Sequence, residues 1–202
     1  MYLYVIRHGE TDWNRLLKLQ GRTDIPLNEN GRSMARTAAR GLKDVKFTMI
    51  YSSPLGRALE TADIIRRDRD IPVITDDRLA EISFGAYEGR EYDKDNRDKY
   101  PELARLFDSP DVYEPADGGE SIAGLCGRTA EFMEYMKDTY ADTDEVILLS
   151  VHGAVIRGIM SYVKGTALKD FWKGGVQSNC GVTLLDITAD GINILSENIT
   201  YD

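Results

Sequence analysis

Tyr2-Leu3-Tyr4-Val5-Ile6-Arg7-His8-Gly9-Glu10-Thr11 and Val146-Ile147-Leu148-Leu149-Ser150-Val151-His152-Gly153 are the two stretches on which the reading of this chain turns. In each, a continuous apolar run of strand length ends in a histidine followed by glycine. The chain holds only these two histidines, so both of its imidazoles stand at strand ends. Arg7 precedes the first, and Gly9-Glu10-Thr11-Asp12-Trp13-Asn14 follows it. A guanidinium, a ring nitrogen, free backbone N–H groups and polar side chains thus converge just past one strand, a set that suits a phosphoryl group.

Working outward, residues 2–7 read as a buried strand, and Asn30-Gly31-Arg32 opens a helix through about Leu42. Phe47-Thr48-Met49-Ile50-Tyr51 is the next strand. It ends in Ser52-Ser53-Pro54, where serine can cap a helix and proline suits its first turn. Leu55, Ala58, Leu59, Ala62 and Ile65 then share one helical face, and Val73-Ile74-Thr75 forms a short strand. A long helix from Ser121 to about Tyr140, the strand ending at His152, and a helix over Val155 to Val163 follow. A β-hairpin, Val182 to Ile187 and Ile192 to Leu195 about Ala189-Asp190-Gly191, closes the chain.

This alternation predicts an α/β fold, a three-layer α/β/α sandwich with a mainly parallel central sheet and a C-terminal β-hairpin. Ligands in such sheets bind off the carboxyl ends of the strands, where both histidines and Arg57 can meet. Residues from about 85 to 120 break the pattern: they are polar and carry Pro101, Pro110 and Pro115. They read as an insert with short helices such as Glu102 to Phe107, leaving from and returning to the active edge as a substrate lid or as a solvated surface excursion. The expected organisation is one domain over residues 1–202.

Composition excludes several classes. With 42% hydrophobic and 29% charged residues, the chain is globular rather than disordered or collagenous. No run approaches the roughly 18 apolar residues of a membrane span, and the N-terminus enters its first strand without a signal pattern, so a cytoplasmic location and no membrane partner are expected. The net charge of −9 argues against nucleic acid. Cys126 and Cys180 have neither metal-ligand nor redox-motif spacing and read as reduced thiols.

Five blocks in order carry a resemblance: Arg7-His8-Gly9-Glu10-Thr11 with Asn14; Leu19-Gln20-Gly21 followed by Asp24-Ile25-Pro26-Leu27-Asn28-Glu29-Asn30-Gly31; Ser52-Ser53-Pro54-Leu55-Gly56-Arg57-Ala58; Leu79-Ala80-Glu81-Ile82-Ser83-Phe84-Gly85 with Glu88-Gly89; and Val151-His152-Gly153. Together they resemble the histidine phosphatase superfamily, the phosphoglycerate mutase-like family, over nearly the whole chain. The resemblance implies that His8 is a nucleophile forming a phosphohistidine, as a neutral imidazole can. It implies that Arg7 and Arg57 bind the phosphoryl oxygens as planar forks, and that His152 adds a donor, protonated when phosphate is bound. Glu81 is implied as proton donor and acceptor, with Glu10 as the alternative. Asn14, Gln20, Gly21, Gly153 and Ala154 match phosphate-binding positions.

No cofactor is expected, since two guanidinium forks and two imidazoles can serve the reaction without a divalent metal. The rival arrangement makes His8 and His152 metal ligands completed by Glu10 or Glu81. Mutases of the family would carry an arginine after the catalytic glutamate, and a lysine and an arginine pair in the insert. Here Ile82 follows Glu81, Tyr92 stands where the lysine is expected, and no Arg-Arg pair occurs in the insert. The pattern from Phe84 to Gly89 looks closer to the small phosphatases. The reading is therefore a metal-independent phosphomonoesterase acting on a small phosphorylated substrate, with a mutase, or a catalytically weak phosphate-binding relative, as alternatives and a homodimer left open. Tyr87, Tyr92, Arg97, Tyr100 and Phe107 would line a lid or pack the insert's own core.

Overall fold

The computed structural model describes residues 1–92 and 97–202, with the backbone alone at Arg97. Among the described residues six strands form one sheet: β1 (Tyr2–Arg7), β2 (Met49–Ser52), β3 (Val73–Thr75), β4 (Val146–Val151), β5 (Val182–Thr188) and β6 (Gly191–Ile199), in the order β3-β2-β4-β1-β5-β6. β1 runs parallel to β4, β4 to β2 and β2 to β3, whereas β5 and β6 are antiparallel additions beside β1. The sheet is therefore mixed, parallel where it carries the histidines.

The helices are α1 (Asp12–Arg15), α2 (Glu29–Gly41), α3 (Gly56–Arg66), α4 (Pro101–Asp108), α5 (Ile122–Tyr140) and α6 (Gly153–Lys164). Strand alternation sends Leu3, Val5, Ile147 and Leu149 to one face, where they pack with Leu125, Phe132 and Met136 of α5 and Val155 and Ile159 of α6. Ile6, Ile50 and Leu148 point to the other face and meet Ala35, Ala38 and Ala39 of α2 and Ala62 and Ile65 of α3. Each such branched side chain taken from water contributes roughly 1.5–3 kcal/mol. Two apolar layers thus clamp the central strands, making the three-layer sandwich that the alternation predicts.

Three local readings change. Asn28 caps α2 by accepting from Gly31 N, so the helix begins at Glu29, one residue before Asn30. β2 begins at Met49, and the Phe47 ring before it packs edge-on against Tyr4 at 5.3 Å. Ser52 and Ser53 do not cap α3, whose N-cap is Leu55 without a side-chain bond, and Pro54 lies outside the helix. The two hydroxyls are used otherwise: Ser52 donates to the adjacent Ser53 O, and Ser53 Oγ lies 2.7 Å from His152 Nε2. On α3 the deeply buried face also includes Arg57 and Thr61, while Leu59 is only half-buried.

The segment from 85 to 120 is not a detached excursion. Leu103 and Leu106 of α4 are fully buried in the main core, and Trp172 Nε1 donates to Leu106 O at 2.6 Å. Most of its aromatics pack on one another: Tyr92 stacks on Phe107 at 5.0 Å, and Tyr87 meets Tyr100 edge-on at 6.1 Å. The side chain of Arg97 lies outside the described residues. No described helix is long and apolar enough to cross a membrane.

Candidate active site

Parallel pairing of β1 with β4 sets Arg7 opposite Val151, so the next residue of each strand, His8 and His152, leaves the sheet at the same level. Their ring centroids are 5.1 Å apart with the planes inclined by 59°. β2 lies on the far side of β4, and Ser53 N donates to Ser150 O just past its end. From there the chain enters α3 and places Arg57 in its first turn. Residues 144 positions apart thus become neighbours by register alone.

His8 is buried, and its Nδ1 lies 2.7 Å from Gly9 O. A carbonyl can only accept, so Nδ1 holds the proton and Nε2 carries the lone pair of the neutral ring. Burial, reinforced by the positive charges of Arg7 and Arg57, holds the pKa of His8 well below its ordinary value of 6.5, against a smaller opposing pull from the Gly9 bond. His152 is also buried, and its pKa is likewise held well below 6.5, by burial first and then by Arg57, His8 and Arg7. Its Nδ1 is buried without a protein partner among the described residues. Burial and the neighbouring positive charges therefore favour the neutral form of both rings.

The loop bearing His8 is held by a close backbone approach. A Cβ on Gly9 would sit 2.5 Å from Gly31 O in the first turn of α2, which only glycine allows. Gly9 N donates to Thr61 Oγ1 at 3.0 Å, and Thr61 donates to Arg57 O at 2.8 Å. α2 and α3 therefore both brace the nucleophile loop.

A cavity of about 170 Å³ opens here, and its lining includes Arg7, His8, Asn14, Gln20, Gly21, Arg57, Glu81, Gly153 and Ala154. His152 is not part of this lining; its ring lies 5.1 Å from that of His8, which is. Arg7 donates to Gln177 O at 2.8 Å, and Arg57 donates to Thr23 O at 2.9 Å and Gly21 O at 2.7 Å. The Nε of each arginine is buried with no partner among the described residues. Two buried arginines whose Nε atoms lack partners thus line one small cavity, an arrangement that favours an anion.

Glu81 is held by Ile82 N, which donates to Oε1 at 2.9 Å, and by Ala154 N, which donates to Oε2 at 3.3 Å. Its carboxylate faces the same cavity. Glu10 is committed elsewhere, accepting from Asn28 Nδ2 at 2.9 Å and Asn30 Nδ2 at 3.1 Å, and lies outside the cavity lining. Gln20 Oε1 accepts from the Thr11 hydroxyl, and Asn14 Oδ1 accepts from Thr11 N. Gly21 has φ +55, and any Cβ there would collide with the Glu88 carboxylate. Among the described residues no group of three or more His, Cys, Asp or Glu side chains is arranged to hold a metal.

Several residues around the site were not identified as such from the sequence. Ser53 bonds His152, Thr61 bonds the nucleophile loop, and Asn179 Nδ2 donates to His8 O at 2.9 Å. Leu19, Phe84, Trp172, Val176 and Lys18 also line the cavity, together with Phe107, which the sequence pattern assigned to a lid or to the insert's own core. The polar run Gln177-Ser178-Asn179 before β5 was the one available signal for the loop that braces Arg7 and His8.

With this geometry in view, the profile of the histidine phosphatase superfamily (branch 1) matches residues 3–200. The chain belongs to the histidine phosphatase superfamily. This histidine phosphatase is 31% identical over 199 residues to phosphoserine phosphatase 1 of Hydrogenobacter thermophilus, covering 98% of this chain and 92% of the relative. It is 37% identical over 171 residues to phosphoglycerate mutase-like protein 4 of Arabidopsis thaliana, covering 83% and 73%. Among solved structures, the phosphoserine phosphatase of Entamoeba histolytica in complex with 3-phosphoglyceric acid superposes with a TM-score of 0.85 at 32% identity, covering 98% of this chain and 97% of the other. As a histidine phosphatase of this kind, the protein is a phosphatase of small phosphorylated metabolites.

Proposed function

We propose that the protein hydrolyses phosphomonoesters by two successive in-line transfers through a phosphohistidine on His8. The lone pair of His8 Nε2 attacks phosphorus as the ester P–O bond breaks, and protonated Glu81 gives its proton to the departing oxygen. Glu81, now a carboxylate, takes a proton from water attacking the same phosphorus, and the P–N bond electrons return to Nε2. Alcohol and inorganic phosphate leave, and Glu81 is protonated again.

The observation that carries this reading is the hydrogen bond from His8 Nδ1 to Gly9 O, which leaves Nε2 as the nucleophilic nitrogen of a ring kept neutral by its surroundings. Arg7 and Arg57 supply fixed positive charge for the equatorial oxygens, and being already oriented by backbone carbonyls they need little rearrangement. His152 contributes a neutral donor: the Ser53 hydroxyl donates to Nε2, so Nδ1 carries the proton that meets the phosphoryl group. Asn14, Gln20 and the N-terminus of α6 at Gly153 and Ala154 complete the cradle. Both cysteines are free thiols, which supports a reducing, cytoplasmic setting.

The test is phosphate release in chelator from nitrophenyl phosphate, sugar phosphates, phosphoserine and phosphoglycerates, with His8→Ala alongside. Turnover in chelator that the substitution reduces at least about 10⁴-fold is the expected result. Isomerisation of a phosphoglycerate with a bisphosphate primer and no net phosphate release would instead make the protein a mutase.

A further inference from the structure

We propose that Glu88 is a positioning residue for the phosphoryl site, holding the peptide between Gly21 and Arg22 in the orientation that aims Arg57; the assignment rests on the reading of Arg57 given above. Glu88 lies outside the lining of the catalytic cavity, and no step of the reaction uses it. Its half-buried carboxylate nonetheless accepts four hydrogen bonds: Oε1 from Arg22 N at 2.9 Å and Phe84 N at 3.2 Å, and Oε2 from Thr23 N at 2.9 Å and from the Thr23 hydroxyl. Most of these donors belong to the turn at residues 22 and 23.

The far side of the same turn holds Arg57. Gly21 O accepts from Nη2 at 2.7 Å and Thr23 O from Nη1 at 2.9 Å. Asp24 approaches Nη1 only to 3.8 Å from a half-exposed position, so the two carbonyls are the close contacts that fix the fork.

Gly21 O and Arg22 N are the two ends of a single peptide unit. In a trans peptide the C=O and N–H point in opposite directions, so Glu88 and Arg57 grip this unit from opposite sides, carboxylate on the hydrogen and guanidinium on the oxygen. Each charge polarises the peptide in the sense that strengthens the other bond. A flip of the unit would turn its oxygen to the carboxylate and its hydrogen to the guanidinium, two repulsive contacts in place of two attractive ones. Gly21, at φ +55, does not itself forbid that flip, because a residue without Cβ is free to take many conformations. The orientation is set from outside, and Glu88 Oε1 fills the space that a Cβ on Gly21 would take.

The test is a double-substitution cycle read by calorimetric titration with inorganic phosphate, the product common to all phosphomonoesters and a probe that needs no turnover. Wild type, Glu88→Ala, Arg57→Ala and the double variant are compared. Glu88→Ala weakens phosphate binding about tenfold when Arg57 is present and by less than about twofold when Arg57 is already alanine, because the loss passes through the guanidinium. Glu88→Gln, which keeps one acceptor oxygen for the turn, recovers part of the affinity. Unchanged affinity in Glu88→Ala, or an equal loss in both Arg57 backgrounds, overturns the proposal; the second result is that of a residue that merely holds the fold. Should Glu88→Ala lose its near-UV circular dichroism, Glu88→Gln enters the same cycle, with a loss of about threefold expected only when Arg57 is present and the same two results overturning the proposal. A wild type that binds phosphate but releases none from any ester refutes the hydrolytic reading alone, while the cycle still decides the role of Glu88. A wild type that binds no phosphate overturns both.

Discussion

Acidification from pH 7 to pH 5.5 destabilises this protein through its two histidines. Both imidazoles are buried and held below their ordinary pKa of 6.5, by desolvation first and then by the neighbouring arginines. The unfolded chain therefore binds protons near pH 6.5 that the folded chain refuses, and stability, complete above that pH, is lost as pH falls through this range. As long as the folded rings stay neutral over this interval, each histidine costs roughly 1 kcal/mol and the pair roughly 2–3 kcal/mol. Few proteins allow so clean a test, because the chain holds no other histidine and its ordinary carboxylates titrate at lower pH. Urea unfolding at half-unit pH steps gives the free energy directly. His8→Asn and His152→Asn, which remove one linked proton each, lose about half as much over the same interval. A wild-type stability that is flat between pH 7 and 5.5, or variants that lose as much as the wild type, would refute the assignment of both rings as neutral in the folded state.

Other substitutions separate the roles of neighbouring residues. Glu81→Gln lowers kcat about 10²–10⁴-fold for alkyl phosphates, whose leaving oxygens need a proton, and less for nitrophenyl phosphate; Glu10→Gln, remote from the cavity, leaves kcat within a few-fold. An equal loss for both esters in Glu81→Gln would exclude it as the acid. Ser53→Ala releases His152 Nε2, lowering kcat about tenfold while the acid limb of the pH–rate profile shifts, and Ser53→Thr, which keeps the hydroxyl, restores most of the rate. A loss without any shift of the profile would make Ser53 merely a packing residue. Gly9→Ala forces backbone apart at Gly31 and costs about 2–3 kcal/mol of stability by chemical denaturation; an unaltered unfolding midpoint would contradict the contact described for that loop.

What could be read from the sequence was whatever local pattern or strand end encodes. The apolar runs before His8 and His152 announced both strands and, with the rule that ligands bind at strand ends, the meeting of the two rings. Arg57 and Glu81 were reached through the family resemblance, and their places in the cavity make physical sense only with the tertiary structure in hand. Ser53 was misread because local logic offered a helix cap, whereas its partner, His152, lies 99 positions away. Thr61 looked like an ordinary helical residue, although its hydroxyl joins α3 to the nucleophile loop. Lys18 and Trp172 belong to segments with no periodicity, and the cavity wall they form arises from packing among loops that no spacing rule connects.

The parallel register that sets His8 beside His152 also makes the enzyme its own folding clock. During synthesis the nucleophile emerges well before its neighbour ring, which arrives with β4, and Gln177 and Asn179, which hold Arg7 and His8, arrive later still. Neither an N-terminal half nor any early intermediate lacking the β1–β4 pairing can turn over ester. During refolding, hydrolysis returns in step with formation of the central sheet and lags any signal from the local helices, so recovery of turnover times the slow, long-range closure of the chain.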